Sequence, residues 1–235
     1  MIKAAIHQPH YFSWLPYFNK IARVDVFIVF DTVQLPMGKS RVLRTKYLDQ
    51  SGEKWLTIPV GKVKSELMPI GQIELSGLEW QKDHVAKLRN AYARAPHFGW
   101  AMEVVASTME VDSLLLLDHL EAGMMKVCHA FGLGTRLIRA SKLLPYAGIG
   151  LSEYIIALLQ KVGASAYLTG KGVGSKKTVD EGLFFRAGID LEYQDYTISE
   201  YPQLHGRAFV PEVSVLDTMF MLGPSAGVNV TGERL

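Results

Sequence analysis

Residues 2–31 decide the fold. They read Ile2-Lys3-Ala4-Ala5-Ile6, then His7-Gln8-Pro9-His10-Tyr11-Phe12-Ser13-Trp14-Leu15-Pro16-Tyr17-Phe18, then Ile21-Ala22, then Val24-Asp25-Val26-Phe27-Ile28-Val29-Phe30-Asp31. The first and last runs are near-continuous apolar stretches of strand length, the pattern of parallel strands covered on both faces. Between them Leu15, Phe18, Ile21 and Ala22 fall at helical spacing. This is a βαβ opening with protonatable groups where a strand ends and a helix begins. Open α/β sheets bind ligands at the carboxyl ends of their strands, so the site is expected there first.

Downstream, Thr32 to Leu48 is polar and basic, contains Pro36 and Gly38, and begins as a loop. Lys54 to Val60 predicts a strand stopped by Gly61, and Met68 to Leu75 predicts another. Over residues 78–132 the period turns helical. One stripe runs through Val85, Leu88, Ala91 and Tyr92, and a second through Ala101, Val104, Val105 and Met109. The third runs through Leu117, Leu120, Met124, Val127 and Phe131, with Ser113 as its N-cap. This central helical block is read as an insertion or a layer over the sheet. Alternation resumes with a strand near Arg136 to Ala140, a helix capped by Ser152, and a strand ending at Thr169. A glycine- and lysine-rich loop follows over 170–177, then a helix from about Asp180, a strand from Leu191, and a last helix near Ser214 to Met221. Strands alternating with helices predict an α/β fold. The expected architecture is a mostly parallel sheet with helices on both faces, in one domain spanning 1–235.

Composition narrows the function classes. The chain has 235 residues, of which 49% are hydrophobic and 20% charged, with a net charge of +2. That charge is too small to argue for nucleic acid or a membrane surface. The single cysteine, Cys128, excludes an internal disulfide and fits a reducing compartment. It lies in a helical apolar stripe, where packing is the better reading than a reactive thiol. No apolar run approaches the roughly 20 residues of a membrane span, so no membrane insertion is expected. The N-terminus does not read as a signal peptide. A soluble cytoplasmic protein is the expectation.

His7 and His10 are the first candidates for catalysis, because imidazole exchanges protons near neutral pH. A zinc site needs a third ligand, and no ligand motif supplies one; neither metal nor cofactor is expected. Asp31 ends the second strand, at the same sheet edge as His7 if the strands are parallel. It is the third catalytic candidate, placed to orient an imidazole or bind an amine. Arg41 and Arg44 suit bidentate contact with phosphate or carboxylate. Gln8, Gln34, Tyr11, Trp14 and Tyr17 are candidate pocket residues. In the loop after the strand at Thr169, Gly170, Lys171 and Ser175 could cradle an anion. That loop is not a phosphate-binding P-loop, since the Lys177-Thr178 pair lacks glycines at the required offsets. Ser175 is not in a nucleophile elbow.

The opening His7-Gln8-Pro9-His10-Tyr11-Phe12-x-Trp14 with Tyr17-Phe18 resembles the start of the WbqC-like protein family. So do Asp25-Val26-Phe27, Asp31-x-Val33-Gln34, Lys54-Trp55-Leu56-Thr57-Ile58-Pro59-Val60 and Tyr167-Leu168-x-Gly170. So do Tyr193-Gln194-Asp195-Tyr196, Tyr201-Pro202-Gln203, Phe209-Val210-Pro211 and Ser214-x-Leu216-Asp217, closing on Phe220 and Gly223. The matches run in order along nearly the whole chain. The resemblance implies an association with bacterial surface-polysaccharide (O-antigen) clusters or small-molecule pathways, and aminoacyl or glycyl transfer to an amino sugar. The family carries an Asn-Arg-Asn-like run after the glutamine. Here the corresponding Arg41 to Lys46 keeps only Arg44 in type, which implies a different substrate.

The expected function is a biosynthetic transferase that moves an acyl or aminoacyl group onto an amine or hydroxyl of a small molecule. Its donor is small, carrier-bound or tRNA-bound. His7-x-x-His10 also resembles the H-x-G-H element of nucleotidyltransferases, with residues 170–177 as a second phosphate element. Pro9, however, replaces the glycine that lets phosphate approach the backbone. A non-catalytic binding protein of a biosynthetic cluster is the third reading. The apolar helices accommodate a homodimer interface as readily as core packing.

Overall fold

The structure is a computed structural model that describes residues 1–36, 40–61, 68–172, 175, 178–206 and 208–231. Part of the basic stretch (37–39) and part of the glycine-lysine loop (173, 174, 176 and 177) lie outside the described residues.

Five strands form one sheet: β1 (Ile2–His7), β2 (Val26–Val29), β5 (Arg136–Arg139), β6 (Ala164–Thr169) and β7 (Asp190–Tyr193). Their spatial order is β5-β2-β1-β6-β7, with every pair parallel. The chain winds outward from β1 through β2 to β5. It then returns to lie beside β1 as β6 and winds the other way to β7. The reversal between β1 and β6 opens a crevice at the strand ends, the switch point of a doubly wound sheet.

Strand alternation sorts the core into two. Ala5, Phe27, Val29 and Leu168 face one cluster, which α1 (Leu15–Ala22), α2 (Glu79–Tyr92), α3 (Phe98–Thr108) and α4 (Leu116–Ala130) cover. α8 (Val215–Leu222) and α9 (Ala226–Thr231) complete that layer. Ala4, Ile6, Val26, Ile28, Phe30 and Tyr167 face the other cluster, under α5 (Ala140–Leu143), α6 (Leu151–Lys161) and α7 (Glu181–Arg186). Helices thus lie on both faces of a parallel sheet, the expected α/β architecture. The central helical block packs on the α1 face. Arg139 at the end of β5 ties it to the sheet, pairing with Asp118 of α4 at 2.8 Å and with Glu121.

Three local readings are corrected. The basic stretch conceals a strand, β3 (Arg44–Asp49), paired antiparallel with β4 (Gly52–Thr57) as a hairpin outside the main sheet. Thr45 and Tyr47 are its buried face, and the cations alternating with them mask the apolar signal. Met68 to Leu75 holds no strand but a 3₁₀ turn over Ile70–Gln72. Its backbone is claimed by the exit of β2: Ile70 N–H donates to Val33 O and Gly71 N–H to Asp31 O. Neither predicted serine is the N-cap of its helix. Ser113 precedes α4 and bonds Leu115 N–H and the Asp118 carboxylate. Ser152 lies inside α6, where its hydroxyl donates to Thr178 O and accepts from Asp180 N–H. It thereby anchors the end of the glycine-lysine loop.

Candidate functional site

β1 delivers His7 to the sheet edge, where His7 O accepts from Phe30 N–H at 2.8 Å. The chain then turns through Pro9 into α1. Phe12 completes the turn with φ +38°, a left-handed conformation strained for a bulky residue. Burial of the ring and the Thr45 hydroxyl, which donates to Phe12 O at 2.8 Å, hold it there. Pro16 in the first turn of α1 suits a helix that has no side-chain cap.

The turn brings three rings together. The His7 and His10 centroids are 4.7 Å apart and edge-on, and Tyr17 lies 5.2 Å from the first and 5.1 Å from the second. The Tyr17 hydroxyl donates to Gln8 O. His7 Nδ1 lies 3.0 Å from Gln8 O. A carbonyl only accepts, so Nδ1 carries the proton and Nε2 presents a lone pair. His10 Nδ1 meets the Ser13 hydroxyl at 3.0 Å. Burial, reinforced by the Lys20 ammonium, pushes His7 down to about 4. Burial, with the charges of His7, Arg41 and Lys20, pushes His10 well below its usual value. Both imidazoles are therefore neutral at pH 7.

His7 and Gln8 wall a cavity of about 410 Å³ at the switch point, with Val33 beyond β2, Thr169 and Gly172 after β6, and Ser175 and Thr178 from the loop. Leu151 and Ile155 of α6 close its apolar side. Gly170 is required by close approach. A Cβ there would stand 2.8 Å from Ser175 Oγ and 3.6 Å from Lys20 Nζ.

The predicted residues thus divide. His7, His10, Tyr17, Gln8, Gly170 and Ser175 gather at the crevice, and Gln8 Nε2 reaches Gln34 O at 3.4 Å. Arg41 borders this group but stacks over Trp14 at 4.7 Å and pairs with Glu212 at 3.2 Å. The others are engaged elsewhere. Asp31 is buried, and its carboxylate accepts from Ser141 N–H at 3.0 Å and Ser141 Oγ at 2.5 Å, holding the start of α5. Among the described residues no hydrogen bond joins it to either imidazole. The Tyr11 hydroxyl meets His84 Nδ1 at 2.8 Å. Arg44 lies over Trp55 at 4.0 Å on the hairpin. Lys171 makes an exposed pair with Asp195, of a kind that contributes little. Among the described residues there is no group of three metal-ligating side chains, and no helix is long and apolar enough to cross a membrane. Burial pushes the Cys128 thiol up to about 12, which leaves it unreactive.

Sequence reasoning missed Lys20. It sits in α1 between the apolar positions Phe18 and Ile21, where a lysine ordinarily reaches solvent. Here it is 5% exposed. Its only sequence signal is its position one residue before a core isoleucine.

A model of the WbqC-like protein family matches residues 8–228. The chain belongs to the WbqC-like protein family. The uncharacterized protein Rv1507c of Mycobacterium tuberculosis is 32% identical to it over 232 residues, 96% of each chain. No solved structure matches it. Within this WbqC-like chain the motif residues serve two ends. The His7 to Tyr17 segment and Gly170 build the crevice. Tyr201, Gln203 and Asp217, far along the sequence from His7, converge instead on a buried structural network.

Proposed function

We propose that the chain is a cytoplasmic biosynthetic transferase that moves an acyl or aminoacyl group onto an amine or hydroxyl of a small metabolite or sugar, in a surface-polysaccharide or small-molecule pathway. One observation carries the reading: a neutral His7, with Nδ1–H engaged by Gln8 O, on the wall of the 410 Å³ switch-point cavity. His7 Nε2 takes the proton of the acceptor amine or hydroxyl as the acceptor atom attacks the donor's carbonyl carbon. The carbonyl bond to the leaving group then breaks, and the imidazolium returns the proton to that group. No covalent acyl-enzyme is needed. A pKa near 4 keeps His7 wholly in the base form but makes it a weak base. Negative charge brought in by substrate strengthens it by favouring the imidazolium.

Nucleotidyl transfer is the second reading. The strand order and the position of His7-x-x-His10 between β1 and α1 favour it. The buried Pro9, in place of a glycine, counts against it.

Turnover and ligand class test both. His7→Ala is expected to lower kcat by about 10²- to 10⁴-fold, the usual contribution of a positioned base, without loss of the fold. Full activity in both His7→Ala and His10→Ala would end the proton-transfer mechanism. A thermal-shift panel separates the classes, because a ligand that binds only the native state raises the melting temperature. A shift with coenzyme A thioesters or amino sugars supports acyl transfer. A shift with ATP or CTP alone that disappears in His10→Ala transfers the assignment to nucleotidyl chemistry.

A further inference from the structure

We propose that Lys20 and the Gly170–Ser175 turn form a phosphate subsite of the crevice, so that the substrate or donor carries a phosphoryl or pyrophosphoryl group. The proposal rests on the reading of the His7 crevice as a substrate site.

Lys20 is 5% exposed, and among the described residues no carboxylate or other acceptor meets its ammonium. A buried cation without a partner is strongly destabilising. Burial alone pushes this one down to about 8, so at neutral pH it remains charged despite that cost. The groups that feel its charge are the two imidazoles, both neutral, which cannot compensate it. A protein that holds an uncompensated buried charge beside a cavity has a place for the opposite charge.

The turn after β6 provides that place. Gly170 has no side chain, and the space its Cβ would take lies 3.6 Å from Lys20 Nζ and 2.8 Å from Ser175 Oγ. An ammonium and a hydroxyl thus converge on one side of a bare backbone. Ser175 and Thr169, on either side of that glycine in the chain, both line the cavity. A compact ammonium is a point charge of the kind that recognises phosphate. The arginines first expected to hold an anion are occupied, Arg41 by Glu212 and Trp14, and Arg44 by Trp55. Lys20 is left as the cation of the crevice with no counter-charge among the described residues. Phosphate bound here also places negative charge beside His7 and His10, which strengthens them as bases.

The test is calorimetric titration of inorganic pyrophosphate into the wild-type chain, Lys20→Met and Lys20→Arg, with melting temperatures recorded in parallel. The wild type is expected to bind pyrophosphate and Lys20→Met to bind it at least tenfold more weakly, with Lys20→Arg between them. Without ligand, Lys20→Met is expected to melt higher than the wild type, because a buried charge has been replaced by an apolar chain of similar length. ATP, CTP and coenzyme A, titrated in the same way, identify the source of the phosphate by which of them shows the same dependence on Lys20. Equal pyrophosphate affinity in the wild type and Lys20→Met overturns the proposal. So does the absence of binding by all four probes. If that happens while His7→Ala still abolishes turnover, the subsite falls and the crevice reading stands. If Lys20→Met weakens pyrophosphate while His7→Ala keeps full activity, the subsite stands and the acyl-transfer mechanism falls.

Discussion

Lowering the pH from 6.5 to about 4 is expected to unfold this protein along a slope approaching three protons. His7 and His84 are held down to about 4, and His10 well below its ordinary value, by burial as the main cause in each. His84 is fully used as a neutral ring: it is 2% exposed, Thr57 O accepts from one nitrogen, and the Tyr11 hydroxyl meets Nδ1 at 2.8 Å. In the unfolded chain all three titrate near 6.5. Their folded values lie lower, so the unfolded state binds protons first as the pH falls. The stability that these residues leave intact is fully present above pH 6.5 and is lost progressively toward about 4. One proton is worth roughly 1.4 kcal/mol per pH unit, so three give a slope of about 4 kcal/mol per unit at its steepest. Across the window that equals a typical total stability. The lowered carboxyls of Asp49 and Asp118 titrate below their model value of 3.8 and do not act in this range. Urea melts at pH 7, 6, 5 and 4.5 measure the slope. His84→Gln should remove about one proton from it, and a stability constant between pH 6.5 and 4.5 would show that these rings are not buried as neutral groups.

Replacing Asp217 by alanine is expected to cost about 3–5 kcal/mol, the range for removing one partner of a buried charged network. Asp217 on α8 is fully buried. Its carboxylate accepts from the Tyr92 hydroxyl at 2.9 Å, the Tyr201 hydroxyl at 2.9 Å and Gln203 Nε2 at 3.0 Å. Tyr92 in turn accepts from Leu48 N–H and stacks on Phe220 at 4.2 Å. Gln203 also bonds both the N–H and the carbonyl of Val210. One side chain therefore ties together α8, α2, the β3–β4 hairpin and the segment 201–210. Alanine leaves three donors facing an empty acceptor site, and their desolvation is no longer offset. Asp217→Asn should cost less, because one amide oxygen remains. A urea midpoint that falls with an unchanged slope would locate the loss in the native state. A cost under about 1 kcal/mol would show that the network is not essential to the fold.

These two effects mark a division within the family signature. His7 and Asp217 both belong to stretches that resemble the WbqC-like family. One opens onto a cavity and the other is sealed in the core. A motif residue is not thereby a site residue, and only burial and partners distinguish the two.

The sequence by itself determined the βαβ opening, the parallel sheet, the helical layer over residues 78–132 and the family. It also placed His7 and His10 at the carboxyl end of the first strand. These rest on local signals, apolar runs and periodicities, which act over a few residues and are written in the order of the chain. Tertiary structure alone decided the rest. The return of β6 to the side of β1 set the switch point there and brought Gly170 and Ser175, some 160 positions along the sequence, to the first turn. The same packing drew Asp31 to Ser141, Tyr11 to His84 and Arg44 to Trp55, away from the roles their types suggested. It buried Lys20, which any helical pattern assigns to solvent, because the loop after β6 covers a helix face that the sequence of α1 cannot see. Strand order and burial arise from contacts between distant segments, and a charge acquires its function from what the fold leaves around it.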